Sequence, residues 1–352
     1  MRIAVLMTGL TAYQDSCFQT LSELGDDLLL VHPDSMAYAP FDQSRFSNSV
    51  QRHIWKTMPS PGALVPLVEE FNPDAVIMWS WDGAGYRAVM KAFRGRALRV
   101  MFSSNFWRGT KKQYLGIVAS RFYVRPLFEY VWVPSAWAES FARLIGFAGK
   151  DIIRGANSAD TAVFDRGARD HEELAKRRRF VFTGRLIWHK APTELAEAYR
   201  RYRAATDEPW DLEIVGAGPL ATDFDGIDGV TLRGFMQPSE LSDLMHESSC
   251  LILPSHAEWY GVVVHEAAVA GLPIICSDGV GAVPHLLQDN FNGWTIPAGD
   301  VGAMAEAMGR MSALSVERLG AMSDGSRALG SRLSPQIWAL NLHEELERRL
   351  PR

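Results

Sequence analysis

The chain has 352 residues with 36 Lys or Arg and 41 Asp or Glu, so its formal net charge is −5. A hydrophobic share of 47% beside 22% charged residues is typical of a globular protein and excludes disordered and fibrous classes. The acidic balance argues against a nucleic-acid binder, and the three widely spaced cysteines form neither a disulfide framework nor a zinc motif.

Short apolar runs alternate with segments of helical spacing through the first half of the chain. Strands are predicted at 3–7, 28–31, 75–79, 98–102 and 130–133, with helices between them such as 62–71 and 84–94. Strands that alternate with helices predict a parallel sheet covered by helices on both faces. We therefore expect a Rossmann-like N-terminal lobe over residues 1–165.

The same alternation restarts after a charged stretch at 165–179. Strands are predicted at 180–183, 212–215, 230–232, 250–253 and 273–276, with helices at 191–205, 238–247 and 261–270. This predicts a second Rossmann-like lobe over residues 166–333. A last helix over 334–352 begins with Ser334 as its N-cap and Pro335 at its first position.

The localisation prediction depends on two apolar stretches. The run at the start, MRIAVLMTGL, is too short for a secretory signal. The most apolar long window, Trp259 to Cys276, contains His265, Glu266 and Pro273, which a membrane-spanning helix would not carry at its centre. We expect a cytoplasmic protein, at most peripheral at the inner face of a membrane.

A glycine turn in the second lobe resembles part of a dinucleotide-binding fingerprint. Gly216-Ala-Gly218-Pro219 follows a predicted strand, but the next strand ends in Arg233-Gly234, where the fingerprint needs an acidic residue. Pro219 also lacks the backbone N–H that a phosphate would bind. The turn is weak evidence for a nicotinamide or flavin site.

Two cations follow the strand at 180–183. Arg185 comes directly after Gly184, and Lys190 lies five residues further on, just before a predicted helix. Such a pair beside a helix N-terminus can flank a diphosphate, with the guanidinium as a fork and the ammonium as a point charge. A solvated loop with unrelated charges explains the same residues equally well.

Residues 254–271, PSHAEWYGVVVHEAAVAG, place Glu258 and Glu266 with seven residues between them. Glu266 lies in a run of Val and Ala, where a carboxylate needs a polar partner. The hydroxyls of a ribose would serve, and a structural Arg or Lys is the alternative. The turn at Gly261 begins a helix whose first backbone N–H groups have no partner within the helix.

Together these motifs resemble the retaining glycosyltransferases of family four. That family has the GT-B fold, in which two Rossmann-like lobes face each other across a cleft and a C-terminal helix crosses back to the first lobe. The resemblance covers about residues 150–340 well and the first lobe loosely. It rests on the order and spacing of Asn157-Ser-Ala-Asp160, Gly184-Arg185 with Lys190, Gly216-Ala-Gly218-Pro219, Gly234-Phe235-Met236, and Glu258 with Glu266.

The resemblance implies transfer of a sugar from a nucleotide diphosphate sugar to an acceptor hydroxyl with retention, in polysaccharide or glycolipid assembly of the bacterial type. Glu258 would lie near the donor sugar, and Arg185 and Lys190 at the diphosphate, as the catalytic residues. No cofactor and no metal are expected, because cations and helix dipoles would stabilise the diphosphate. The donor-binding residues would be Glu266 at the ribose, with Gly9, Gly184, Gly234, Phe235, Tyr260, Gly261 and Val262.

The acceptor side departs from the family pattern. A histidine that the family often has in the first lobe is replaced by Ser103-Ser104-Asn105, and a common second-lobe glutamate by His285. Asn105 and Asp82 are our acceptor candidates, although Asp82 would equally cap a helix. Residues 83–128 contain ten Lys or Arg and no Asp or Glu, with aromatics between them. This stretch predicts contact with an anionic membrane or a lipid-diphosphate acceptor, or else only solvated helix faces.

Other functions remain open at this point. A nucleotide-sugar epimerase or a phosphorylase has the same fold, and a non-catalytic nucleotide-sugar binding protein would keep the donor site without turnover. A phosphorylase that uses pyridoxal would need a Schiff-base lysine, and only Lys176 and Lys190 lie in the second lobe.

Overall fold

The computed structural model describes residues 1–34, 40–42, 44, 46 and 49–350. The chain divides into two compact units, Met1–Ser158 with Pro335–Arg352, and Ala159–Ser334. Among the described residues, no helix is both long enough and apolar enough to cross a membrane.

The first unit is built on a seven-stranded parallel sheet with the order β3-β2-β1-β4-β5-β6-β7. Its strands are β1 (Arg2–Leu6), β2 (Asp27–Pro33), β3 (Gln51–Trp55), β4 (Ala75–Trp79), β5 (Leu98–Phe102), β6 (Tyr130–Val133) and β7 (Ile152–Arg154). The connecting helices are α1 (Ala12–Glu23), α2 (Pro61–Phe71), α3 (Ala84–Ala92), α4 (Lys111–Tyr123) and α5 (Ala136–Leu144). The central strands are buried on both faces, which explains their continuous apolar runs.

The C-terminal helix, Pro335–Glu347, belongs to this first unit. Trp338 is buried between Phe18 and Trp132, with ring centroids 5.4 Å and 5.0 Å away. His343 adds a 2.7 Å contact from Nδ1 to the buried carboxylate of Asp26. The helix therefore packs on the N-terminal unit, as the family resemblance implies.

The second unit has a six-stranded parallel sheet with the order β10-β9-β8-β11-β12-β13. Its strands are β8 (Arg179–Thr183), β9 (Asp211–Val215), β10 (Val230–Gly234), β11 (Cys250–Leu253), β12 (Ile274–Ser277) and β13 (Gly293–Ile296). Its helices are α6 (Thr161–Phe164), α7 (His171–Arg177), α8 (Pro192–Ala204), α9 (Pro238–His246), α10 (Val262–Val269), α11 (Val283–Leu286), α12 (Val301–Ser312) and α13 (Val316–Gly330).

The second unit begins at Ala159, seven residues before the expected start at 166. Phe164 is buried in the core of this unit, and the Ala159 N–H donates to Nδ1 of His265 at 2.8 Å. These contacts place residues 159–165 with the second sheet. Helix α7 and the start of β8 lie in the charged stretch 165–179, so this stretch is part of the second unit.

Candidate functional site

The strand order of the second sheet reverses between β8 and β11. The chain leaves β8 towards β9 on one side and leaves β11 towards β12 on the other, so the two loops diverge at the carboxyl edge. In open parallel sheets this switch point is where ligands bind. Gly184 to Lys190 follow β8, and residues 254–261 follow β11, so the sheet brings both predicted motifs to this edge.

The glycine turn packs against the loop that carries Arg185. The Leu186 N–H donates to the Ala217 carbonyl at 2.9 Å. A Cβ on Gly216, whose φ is +133°, would lie 1.9 Å from the Gly184 carbonyl oxygen, and one on Gly218 would lie 2.3 Å from that of Leu186. Only glycine allows this approach, so the turn that resembles a dinucleotide fingerprint shapes the neighbouring loop instead.

Lys190 and Glu258 form an ion pair, although 68 positions separate them in the chain. Their side chains are only 12% and 15% exposed. The backbone fixes Glu258 from both sides, since its N–H donates to the Gly279 carbonyl at 2.9 Å and its carbonyl accepts from the Gly281 N–H at 3.0 Å. An ammonium has three donors, so Lys190 can bind an anion while it holds Glu258 in place.

Helix α10 begins at this edge, and no side chain of the described residues caps it. Gly261 is its N-cap residue with φ +85°, and a Cβ there would lie 2.9 Å from Val280 and 3.1 Å from Glu258. Tyr260 is buried just before it. The backbone N–H groups at the start of the helix, near Val262, are therefore suited to bind an anion.

Glu266 lies one turn after Val262 on α10 and is half-buried. Within the described residues, no hydrogen bond or ion pair engages its carboxylate, so the structural Arg or Lys considered as an alternative partner is not seen there. Burial, with a contribution from the nearby Asp160 carboxylate, raises the pKa of Glu266 to about 7. A ligand that offers hydroxyl donors would stabilise such a half-buried carboxylate, which has no hydrogen-bond partner among the described residues.

His265, next to Glu266, connects α10 by hydrogen bonds to residues near the start and the end of the second unit in the chain. Its Nδ1 accepts from the Ala159 N–H at 2.8 Å, and its Nε2 is 2.9 Å from the Gly330 carbonyl, to which it donates. Burial lowers the pKa of His265, so the imidazole is neutral. In the sequence, this histidine is recognisable only as a polar residue in an apolar window.

Gly234 ends β10 and Phe235 follows it, beside the glycine turn. The Gly216 N–H donates to the Gly234 carbonyl at 2.6 Å, and Phe235 is 36% exposed. Arg233 donates to the buried Glu213 at 2.7 and 3.1 Å. This pair explains why a basic residue stands where a dinucleotide site would need an acidic one.

The contact of His256 with Glu194, near Lys190 and Glu258, was not predicted from the sequence. His256 Nε2 lies 2.8 Å from Oε1 of Glu194, and the imidazole stacks on Trp188 with centroids 5.0 Å apart. Trp188 is 65% exposed. The signal was available, because His256 is two residues before Glu258 and Trp188 two before Lys190, but neither has a motif of its own.

The predicted residues of the first unit lie together at the carboxyl edge of its sheet. Gly9 follows β1, Asp82 follows β4 and Asn105 follows β5, and these three strands are neighbours. Gly9 is buried, whereas Asp82 and Asn105 are exposed. Gly83 is the N-cap residue of α3, and within the part of the chain that the structure describes no side chain caps this helix, so the capping alternative for Asp82 is wrong.

One Asp-x-Asp pair, Asp223-Phe224-Asp225, bears on the metal expectation and was overlooked in the sequence analysis. Phe224 is buried in the core, Asp223 accepts a hydrogen bond from the Thr193 hydroxyl, and Asp225 is exposed. Over the part of the chain that the structure describes, no three or more His, Cys, Asp or Glu side chains are grouped to hold a metal. Metal independence stays a prediction.

The chain is similar to known proteins in sequence and in fold. Residues 164–324 match the family Glycosyl transferases group 1. The chain is 32% identical over 116 residues to the amylovoran biosynthesis glycosyltransferase AmsK of Erwinia amylovora, covering 29% of this chain and 28% of that protein. It is 30% identical over 171 residues to the D-inositol 3-phosphate glycosyltransferase of Gordonia bronchialis, covering 44% of this chain and 36% of that protein.

These matches span about a third of the curated relatives' own length. The matches to solved structures extend over nearly the whole chain. The Anabaena protein Alr3699/HepE, solved in complex with UDP and glucose, has a TM-score of 0.75 at 15% identity over 99% of this chain and 100% of its own. Sucrose-phosphate synthase from Thermosynechococcus elongatus has a TM-score of 0.76 at 17% identity over 99% of both chains. The predicted α/β fold with two Rossmann-like lobes of the GT-B type is confirmed.

Proposed function

We propose that this protein is a retaining glycosyltransferase that moves a sugar from a nucleotide diphosphate sugar to an acceptor hydroxyl. The observation that carries the proposal is the half-buried Glu266 carboxylate, which has no partner among the described residues and lies one turn from an uncapped helix start. A nucleotide diphosphate satisfies both features at once, with ribose hydroxyls for the carboxylate and phosphate oxygens for the backbone N–H groups.

The relatives support the same class of donor and acceptor. The Anabaena structure contains UDP and glucose, and the Erwinia relative is named for the biosynthesis of amylovoran. We infer that the donor is a nucleotide diphosphate sugar and that the acceptor belongs to polysaccharide or glycolipid assembly. Gly9, Asp82 and Asn105 are the first-unit residues proposed to contact donor and acceptor.

The hard step of this reaction is departure of the diphosphate while positive charge builds on the anomeric carbon. Arg185, Lys190 and the α10 backbone N–H groups would stabilise the leaving negative charge. Glu258, held by Lys190 and by two backbone hydrogen bonds, would lie against the sugar and stabilise the positive charge. Because the ammonium keeps free donors while it is paired, one side chain serves both charges.

The reaction needs no separate base to take the acceptor proton. The bond from the anomeric carbon to the phosphate oxygen breaks, and a bond to the acceptor oxygen forms on the same face of the sugar. Because the new bond forms on the face that the phosphate leaves, the configuration is retained, and the acceptor proton passes to the departing phosphate oxygen. A covalent intermediate on Glu258 is the less favoured variant of the same outcome.

Calorimetric titration with UDP, GDP and ADP, each with Mg²⁺ and again with EDTA, tests the donor site. We expect one nucleotide to bind tightly, with no effect of EDTA and with loss of binding in Glu266→Ala. The matched control is Glu306→Ala, an exposed glutamate on α12 of the same unit. Absence of binding by all three nucleotides would contradict the proposal.

Turnover separates the enzyme from the alternatives. Glu258→Ala is expected to bind the nucleotide normally and to lose sugar transfer, whereas a non-catalytic binding protein would show no transfer even as the unaltered chain. An epimerase would return an isomer of the nucleotide sugar without an acceptor. NMR of the product's anomeric proton tests retention directly.

A further inference from the structure

Helix α4 of the first unit exposes large apolar side chains. Leu115, Val118 and Phe122 are 75%, 66% and 80% exposed. Their spacing of three and four residues places them on one face of the helix. Ser120 is the only buried residue of α4, and it lies on the opposite face. The apolar stripe therefore points away from the protein.

Exposed cations surround this stripe. Arg108, Lys111, Lys112 and Arg121 are exposed, and none forms an ion pair with a carboxylate of the described residues. Three other cations of the same basic stretch are neutralised, since Arg96, Arg99 and Arg125 pair with Glu69, Glu129 and Asp151. Arg87, Lys91 and Arg94 form no ion pair among the described residues, so unneutralised positive charge remains both around the apolar stripe and at the neighbouring α3.

Two tyrosines lie at the edges of the same helix. Tyr114 and Tyr123 are 60% and 59% exposed. Trp107 packs edge-on against Tyr114 with centroids 4.8 Å apart, and the Arg87 guanidinium lies 4.2 Å from the centroid of Tyr123. Amphipathic aromatic rings of this kind are favoured at the boundary between lipid headgroups and acyl chains.

We propose that the α4 face, defined by Leu115, Val118 and Phe122 with the cations Arg108, Lys111, Lys112 and Arg121, docks on the surface of an anionic lipid bilayer. The apolar side chains enter the boundary below the headgroups, and the cations contact the lipid phosphates. A second copy of this chain is disfavoured as the occupant, because a symmetric contact would place these cations against one another. The proposal does not rest on the donor chemistry, since it is tested without nucleotide.

Vesicle sedimentation measures the docking directly. We expect the unaltered protein to bind vesicles of phosphatidylcholine with 30% phosphatidylglycerol, and to bind neutral phosphatidylcholine vesicles much more weakly. Neutralising three cations in K111Q/K112Q/R121Q is expected to lower the partition coefficient about a hundredfold, since each contributes about fivefold near an anionic surface. High salt is expected to weaken binding in the same direction.

The apolar contribution is tested with L115Q/V118Q/F122Q, which changes only exposed side chains and so leaves the fold intact. We expect at least about a tenfold loss of partitioning. The matched control is L24Q/L144Q/L340Q, which removes three other exposed leucines of the same unit and is expected to bind normally. The three native cysteines are all buried, so a fluorophore can be attached selectively at F122C. Its emission should shift to the blue on anionic vesicles.

Four results would overturn the proposal. These are no binding of the unaltered protein to anionic vesicles, normal binding of the apolar triple variant, an unchanged spectrum of the label on vesicles, and self-association through α4 in place of vesicle binding. Analytical ultracentrifugation of the unaltered protein and the apolar variant detects the last of these.

Discussion

Glu266→Gln is expected to make the ligand-free protein more stable at alkaline pH. Burial, with the nearby Asp160 carboxylate, raises the pKa of Glu266 from 4.5 to about 7, so the folded protein resists its ionisation. The stability that the neutral carboxyl group contributes is complete below pH 4.5 and is lost as the pH rises through 7. Glutamine keeps the shape of the neutral group and cannot ionise.

The size of the effect follows from this shift. The shift corresponds to about 3 kcal/mol in the free energy of unfolding above pH 7, at 1.36 kcal/mol for each pKa unit. Because Glu266 is only half-buried, solvent screening reduces this to about 2 kcal/mol. For a unit of this size the melting temperature would rise by roughly 5 °C.

Differential scanning fluorimetry at pH 5 and pH 8.5 checks this expectation. The gain of Glu266→Gln over the unaltered protein should be near zero at pH 5 and full at pH 8.5, whereas Glu306→Gln, at an exposed site, should show no gain at either pH. Affinity for the nucleotide should fall about tenfold to a hundredfold, because a charge-assisted hydrogen bond is lost. Equal melting temperatures of Glu266→Gln and the unaltered protein at pH 8.5 would refute the reasoning.

Three further substitutions test other contacts, with Gly226→Ala as a control for Gly216→Ala. Gly216→Ala should destabilise the protein by about 3 kcal/mol or more and abolish nucleotide binding, because the new Cβ meets the Gly184 carbonyl oxygen at 1.9 Å. Gly226→Ala, at a left-handed position with nothing within 4 Å, should cost only about 1 kcal/mol in urea unfolding. Lys190→Met should lower kcat by about a hundredfold to a thousandfold in a transfer assay, with normal folding by circular dichroism. The melting temperature of the unaltered protein should fall as the pH drops below 6.5, because burial lowers the pKa of His265 and acid must charge this histidine. In His265→Gln this fall should be smaller.

The central strands of both sheets were predictable because they are buried on both faces and read as continuous apolar runs. Three strands were missed, and each lies at the edge of its sheet. In β3, the sequence QRHIW is polar and half-exposed, β7 has only three residues, and β13 begins with glycine. Such polar, short or glycine-led segments lack the continuous apolar run that marks a central strand, whereas the fourth edge strand, β10, was predicted at 230–232.

The candidate site could be predicted only as separate segments. The sequence places Lys190 and Glu258 after two strands, but their ion pair depends on β8 and β11 lying side by side. Likewise, nothing local in the sequence shows that His265 reaches Ala159 and Gly330. Contacts across such separations follow from the fold, and a motif gives only the chemistry of each end.

The first unit is discontinuous in the chain, which affects the order in which the protein is made. Trp338 completes the aromatic cluster of Phe18 and Trp132, yet it is synthesised only after all of Ala159–Ser334. At ordinary translation rates this delay is roughly 10 to 35 s. The second unit can therefore finish its core on the ribosome while the unit made first still exposes the apolar surface that the C-terminal helix will cover. Nascent chains that stop before Pro335 would keep that surface open, and they are the species that most need a chaperone.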